Sequence, residues 1–192
     1  MRVQYYTATS LDGFIAGEGD DLDWLTDYEP PEPPPDLERD MGSYDEFYAG
    51  IGALIMGSST YEWVLEHVDA WPYADKPAWV LSSRDLRQPE GDADVRIVAA
   101  DVADLQEELE AAAGDRNLWV VGGGPVVSQF AAAGLLDDVI VTVVPVVLGS
   151  GKPMFSERLP GGPMKLVGTR PTPTGMVELH YEVVPAARSD DG

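Results

Sequence analysis

The chain has 192 residues, no cysteine and two histidines, with 34 acidic against 12 basic side chains and a formal net charge of -22. That balance excludes the basic footprint of a nucleic-acid surface, and the lack of thiols excludes disulfides, thiolate catalysis and cysteine zinc sites. A mean hydropathy of -0.13 and no apolar run near the ~20 residues that cross a bilayer predict a cytoplasmic protein without metal or membrane partner, one domain over residues 1–185 and a disordered tail over 186–192.

Residues 3–9 read as a first strand, Ser10-Leu11-Asp12-Gly13 as a turn and residues 14–17 as its extended continuation. An acidic, proline-rich excursion follows over 18–40. Its run Pro30-Pro31-Glu32-Pro33-Pro34-Pro35 cannot enter a regular helix or a central strand. The segment is expected to be a loop: a stiff spacer, a partner ligand, or a cover over a pocket through Trp24 and Leu25. Ser43, with Glu46 three positions on, makes a capping box for a helix over 43–49. Residues 53–56 then form a strand that meets Gly57-Ser58-Ser59-Thr60 before a helix over 61–66. His67 falls at the end of that helix and His180 in an alternating strand, and neither is expected in catalysis.

A third apolar run, 78–81, stops at Ser82-Ser83-Arg84. Residues 101–113 predict a surface helix with Val102, Leu105 and Leu109 opposite glutamates, ended by Gly114. Leu118-Trp119-Val120-Val121 runs into Gly122-Gly123-Gly124, Pro125 suits the first helical position, and Gly134 closes that helix. Residues 137–147 read as a β-branched strand, 148–155 as a glycine-rich turn, and 164–168 with 176–184 as a closing hairpin.

Three strands thus finish in small, donor-rich turns. In an open α/β sheet, ligands lie across the carboxyl ends of parallel strands. Bare glycines let a ligand approach the backbone, and the free N–H groups of a helix's first turn favour an anion. The pattern predicts one extended ligand with several phosphates, a dinucleotide, with Arg84 as a bidentate clamp and Arg87 as further counter-charge. Tight turns without a ligand and an ordinary surface arginine are the alternatives. A Rossmann site is excluded because Gly122-Gly123-Gly124-Pro125-Val126-Val127 lacks the G-x-G-x-x-G spacing, and Thr142-Val143 stands where its acidic residue would fall. A P-loop is excluded because no lysine follows either glycine turn.

The ordered set Thr7-Ala8-Thr9-Ser10-Leu11-Asp12-Gly13-Phe14-Ile15-Ala16, Met56-Gly57-Ser58-Ser59-Thr60-Tyr61-Glu62, Val80-Leu81-Ser82-Ser83 and Val121-Gly122-Gly123-Gly124 resembles the dihydrofolate reductase superfamily over nearly the whole chain. Ser10-Leu11-Asp12-Gly13 and Pro145-Val146-Val147-Leu148-Gly149-Ser150-Gly151-Lys152-Pro153-Met154-Phe155 are most similar to its riboflavin-biosynthesis reductase branch, the RibD C-terminal domain and its small stand-alone relatives. The resemblance implies an α/β fold with a central, mostly parallel sheet, an antiparallel C-terminal hairpin and helices on both faces.

It also implies NADPH, with Gly57, Ser58, Ser59 and Thr60 near the adenosine and its phosphates and Ser82, Ser83 and Arg84 near the 2'-phosphate. Gly122, Gly123, Gly124, Pro125, Val126 and Val127 would surround the pyrophosphate, and Ala8, Ile15 and Gly17 would border the nicotinamide. Ser58 stands where relatives often carry a basic residue, which leaves the choice between NADPH and NADH open. The implied reaction is hydride transfer to a C=N or C=O carbon of a flat heterocycle or sugar-derived small molecule, similar to that of 5-amino-6-(5-phosphoribosylamino)uracil reductase or dihydrofolate reductase. Family practice places a carboxylate on the helix before the glycine-hydroxyl strand, where Asp45 is the first candidate and Glu46 and Asp40 are alternatives. Asp12 either orients substrate or fixes its own turn. A dinucleotide-binding protein without turnover and a proline-rich interaction module are the rival readings. The branch further implies a homodimer, with residues 137–147 extending a sheet or offering an apolar face, unless they form a central core strand.

Overall fold

Apolar residues recur along this chain in short runs that alternate with helical segments, and the runs assemble side by side. The structure, a computed structural model, describes residues 1–30 and 44–184. The proline run beyond Pro30, the Ser43 cap, Asp40 and the expected tail lie outside the described residues. The strands are β1 (Val3–Ser10), β2 (Phe14–Ala16), β3 (Ile51–Gly57), β4 (Ala78–Leu81), β5 (Val95–Val98), β6 (Asn117–Gly122), β7 (Asp138–Val144), β8 (Lys152–Pro153), β9 (Lys165–Pro171) and β10 (Val177–Glu182). Eight of them form one sheet in the order β5-β4-β3-β6-β1-β7-β10-β9, and β2 pairs with β8. From β5 to β7 all neighbours are parallel, whereas β10 and β9 join antiparallel as a hairpin.

The helices are α1 (Asp23–Thr26), α2 (Tyr44–Ala49), α3 (Ser58–His67), α4 (Gln106–Ala113) and α5 (Gly124–Ala132). In β3 the first six residues are all buried, as expected of a parallel strand covered on both sides. Its side chains alternate between two cores. Ile55 joins Tyr5, Trp79 and Val120 under α4 and α5, which contribute Leu109, Val127 and Phe130. Leu54 and Met56 join Val80, Trp71 and Trp119 under α2 and α3, which contribute Phe47, Tyr48 and Tyr61. The second core is rich in rings: Phe47 stacks on Tyr6 at 4.4 Å and meets Trp119 edge-on at 5.3 Å, which seats the six-residue α2 without a long apolar stripe.

The structure departs from the sequence reading at several elements, the first being α1, a single helical turn within the segment expected to be a loop. Helix α3 begins at Ser58, because extended Gly57 takes the cap position and the three hydroxyl residues form the first turn. Helix α4 begins at Gln106, with single turns such as Leu105 N–H to Val102 C=O at 3.3 Å before it. Strand β5 is an additional edge strand, whose Arg96 lies over the Trp79 ring at 4.5 Å. Strand β7 ends at Val144, where Val146 N–H turns back to the Val144 carbonyl, and both its edges are occupied by β1 and β10. It is the central core strand of the two alternatives, so a second copy cannot extend the sheet through it.

Candidate functional site

Parallel pairing puts the carboxyl ends of β4, β3, β6 and β1 in one row. Gly57 is level with Leu81, and Met56 with Gly122, so Ser82, Ser58 and Gly123 leave neighbouring strands at the same edge. Two helices start there, α3 after Gly57 and α5 after Gly123, and neither has a side-chain hydrogen bond at its cap. Helical geometry turns their first N–H groups toward the strand ends, where an anion would meet them; in α5, Pro125 has none and the Val126 N–H donates to the Gly123 carbonyl at 3.0 Å. The glycines also let the turns pack tightly. A Cβ on Gly57 would meet Val126 Cγ2 at 3.3 Å, one on Gly122 would meet Thr60 Oγ1 at 3.2 Å, and one on Gly124 would meet the Pro153 carbonyl at 3.0 Å. The Gly122–Gly123 peptide is cis.

The loop after β1 folds over this row. Ile15 Cδ1 lies 4.0 Å from where a Cβ of Gly123 would stand, and Gly17 N–H donates to the Asp21 carbonyl at 2.8 Å. Asp12 ties that loop down: it accepts from Ser10 Oγ at 2.7 Å and from the backbone N–H groups of Leu148 and Gly149 at 3.1 and 2.7 Å. The Ser10 hydroxyl foremost, helped by the two amides, holds the Asp12 carboxyl below its usual range. Of the two roles foreseen for Asp12, this geometry is that of a turn anchor.

Arg84 lies beyond β4 beside Ser82, whose Oγ accepts its backbone N–H at 3.0 Å. Its guanidinium forks onto Glu62 of α3, at 2.9 and 2.5 Å, and Arg87 donates to the Leu65 carbonyl at 3.0 Å. The arginines are thus at the row but engaged by α3. Asp45 and Glu46 are exposed on the first turn of α2. Ala8, Ile15, Gly17, Gly57 to Thr60, Ser82 to Arg84 and Gly122 to Val127 are therefore brought to one edge, whereas Asp45 belongs to the helix flanking it. A polar group on the sheet face beside Ala8 was not foreseen: Thr142, Glu178 and Arg170 reach it from three strands. Only the strand register reveals them, since their spacing in the sequence carries no motif.

A family model for the RibD C-terminal domain matches residues 2–177. The chain belongs to this family. The uncharacterized Bacillus subtilis protein YwjB is 37% identical over 177 residues, covering 92% of this chain and 94% of the relative. Among solved structures, a Shewanella sp. PV-4 protein provisionally named for riboflavin biosynthesis is 30% identical, with a TM-score of 0.77 over 95% of this chain and 98% of that one. Dihydrofolate reductase from Enterococcus faecalis, complexed with NADP(H) and RAB-propyl, has a TM-score of 0.58 at 19% identity, covering 94% of each chain. The RibD C-terminal domain here thus has the dihydrofolate reductase-like fold: a mostly parallel sheet, an antiparallel hairpin, and helices on both faces. Among the described residues, no helix is long and apolar enough to cross a membrane.

Proposed function

We propose that this chain is an NADPH-dependent reductase of a small planar heterocycle or a sugar-derived imine or carbonyl compound. The observation that carries the reading is the row of adjacent parallel strand ends onto which α3 and α5 both open without a side-chain cap. Those two N-termini favour phosphates through oriented N–H groups, and their glycines leave the backbone bare where a side chain would collide. Ser58, Ser59 and Thr60 add hydroxyl donors within the first turn of α3, and Ser82 to Arg84 flank them on the next strand. Family membership and the fold shared with a reductase complexed with NADP(H) agree with this reading.

Reduced nicotinamide, when bound, supplies the hydride. The chain's part is alignment: Ala8 and Ile15 border the ring end of the row, and Asp12 holds the covering loop to the segment after β7. Calorimetric titration with NADPH and NADH tests the proposal. Saturable heat and a raised melting temperature with NADPH are expected, and the absence of both overturns it. Binding without loss of reduced-nicotinamide absorbance, across pyrimidine, pterin and carbonyl compounds, would instead assign a dinucleotide-binding protein.

A further inference from the structure

Charge is shared unevenly along this chain. Residues 139–184 hold three acidic and four basic side chains, whereas the whole sequence has 34 against 12. That stretch builds β7 after Asp138, then β8, β9 and β10, and β7, β10 and β9 end the sheet on one side. The acidic surplus of the molecule therefore lies away from the β9–β10 hairpin.

Register divides the hairpin into two unlike faces. Lys165 pairs with Glu182, Gly168 with His180 and Arg170 with Glu178, so both ion pairs of the hairpin close on one face. His180 is level with Ile140 and Tyr6, which makes this the α2 side. On the opposite face, level with Val139, Val141 and Val143, stand Leu166, Thr169, Pro171, Val177, Leu179 and Tyr181. None of the six is charged. The helices on that side, α4 and α5, pack on β3 and β6 instead. Leu166 and Val177 are left 53% and 39% exposed, and Val167 and Val184 beside them are exposed as well. A contiguous apolar patch of this kind marks an interaction surface.

We infer that the uncharged face of the hairpin is covered by the same face of a second copy of this chain, the two hairpins stacked across a two-fold axis. Charge selects the occupant. A basic partner is drawn to the acidic remainder of the molecule, and an acidic partner finds no cation on this face of the hairpin. Two copies, each with a net charge of -22, approach closely only where neither brings net charge. Equivalent side chains then meet, as an isologous contact requires, and Leu166, Leu179 and Tyr181 leave water on both copies. The contact uses a face of β9 and β10 and no edge of β7, and it is independent of the reductase reading.

Sedimentation equilibrium of the full chain tests this. At micromolar concentration and physiological salt the wild type should run at twice its 20.7 kDa. Leu166→Glu combined with Val177→Glu should run as the monomer, because it sets four carboxylates face to face. Val68→Glu, which alters an exposed apolar residue just after α3, should stay dimeric. The dissociation constant of the wild-type dimer should fall several-fold as salt rises from low to physiological strength, since screening weakens the repulsion of the acidic remainders. A monomeric wild type, a double variant that still pairs, a Val68→Glu protein that dissociates, or a dimer that loosens with salt overturns the inference. If the double variant does not fold, Thr169→Lys, at an exposed position on the same face, carries the comparison, with a monomer expected and an unchanged dimer overturning.

Discussion

Asp138 shows how a single buried charge is kept in this protein. It is 2% exposed, yet accepts from Arg2 Nε and Nη2 at 2.7 Å each, from Gln4 Nε2 at 3.0 Å, and contacts His180 Nε2 at 3.0 Å. Burial alone would raise its pKa. Hydrogen bonds from Arg2, His180 and Gln4, with the Arg2 charge, outweigh that and hold the carboxylate below its ordinary value. The unfolded chain therefore takes up the proton more readily, so the stabilisation is complete above the unfolded carboxylate pKa of about 3.9. It is lost as pH falls through the lower folded value. Asp138→Asn should cost about 1–3 kcal/mol near neutrality and flatten the acid limb of stability against pH, measured by urea unfolding; an unchanged acid limb would show that the network does not carry this linkage. No sequence pattern marks Asp138, because its donors come from the two ends of the chain. The same is true of Thr142, Glu178 and Arg170. Gly57 and Gly122 to Gly124, by contrast, were legible, since local spacing alone specifies a strand that must turn into a helix.

Among the elements, α3 and the turn after β4 are fastened together by Arg84 and Glu62. Under the proposed function, this pair would make the cofactor preference adjustable. Glu62→Gln should release the guanidinium toward the row and tighten NADPH several-fold more than NADH, read as the ratio of the two dissociation constants; an unchanged ratio would remove Arg84 from phosphate recognition. The strands that border the row were legible because each is a short apolar run ended by glycine or serine. The edge strand β5 was not. Its four residues include Arg96, which breaks the apolar run and is accommodated by the Trp79 face and by Asp94 and Glu108. The start of α3 was misjudged for a related reason: serine and threonine resemble turn formers until Gly57 is seen to take the cap. The length of β7 was overread because β-branched residues continue past Val144, whereas the pairing with β1 and β10 stops there.

At the scale of the molecule, the net charge of -22 repels any polyphosphate from a distance, and backbone N–H groups act only on contact. Added salt screens the long-range part within about 10 Å. NADPH affinity should therefore rise, or at least hold, as salt increases from low to physiological strength, opposite to a basic phosphate site. A steep fall in titrations at graded salt would show that Arg84 and Arg87 outweigh the global field. The sheet order has a separate implication for how the chain is made. Strand β1 sits in the middle of the sheet, and its partners in register are Leu118 for Val3 and Asp138 for Gln4. A nascent polypeptide leaving the ribosome consequently presents β1 without β6 until residue 122 has emerged, and without β7 until residue 144 has. The heart of the sheet closes late, through pairings of high sequence separation, and β1 meanwhile stays open to sticking to other chains or to capture by a chaperone.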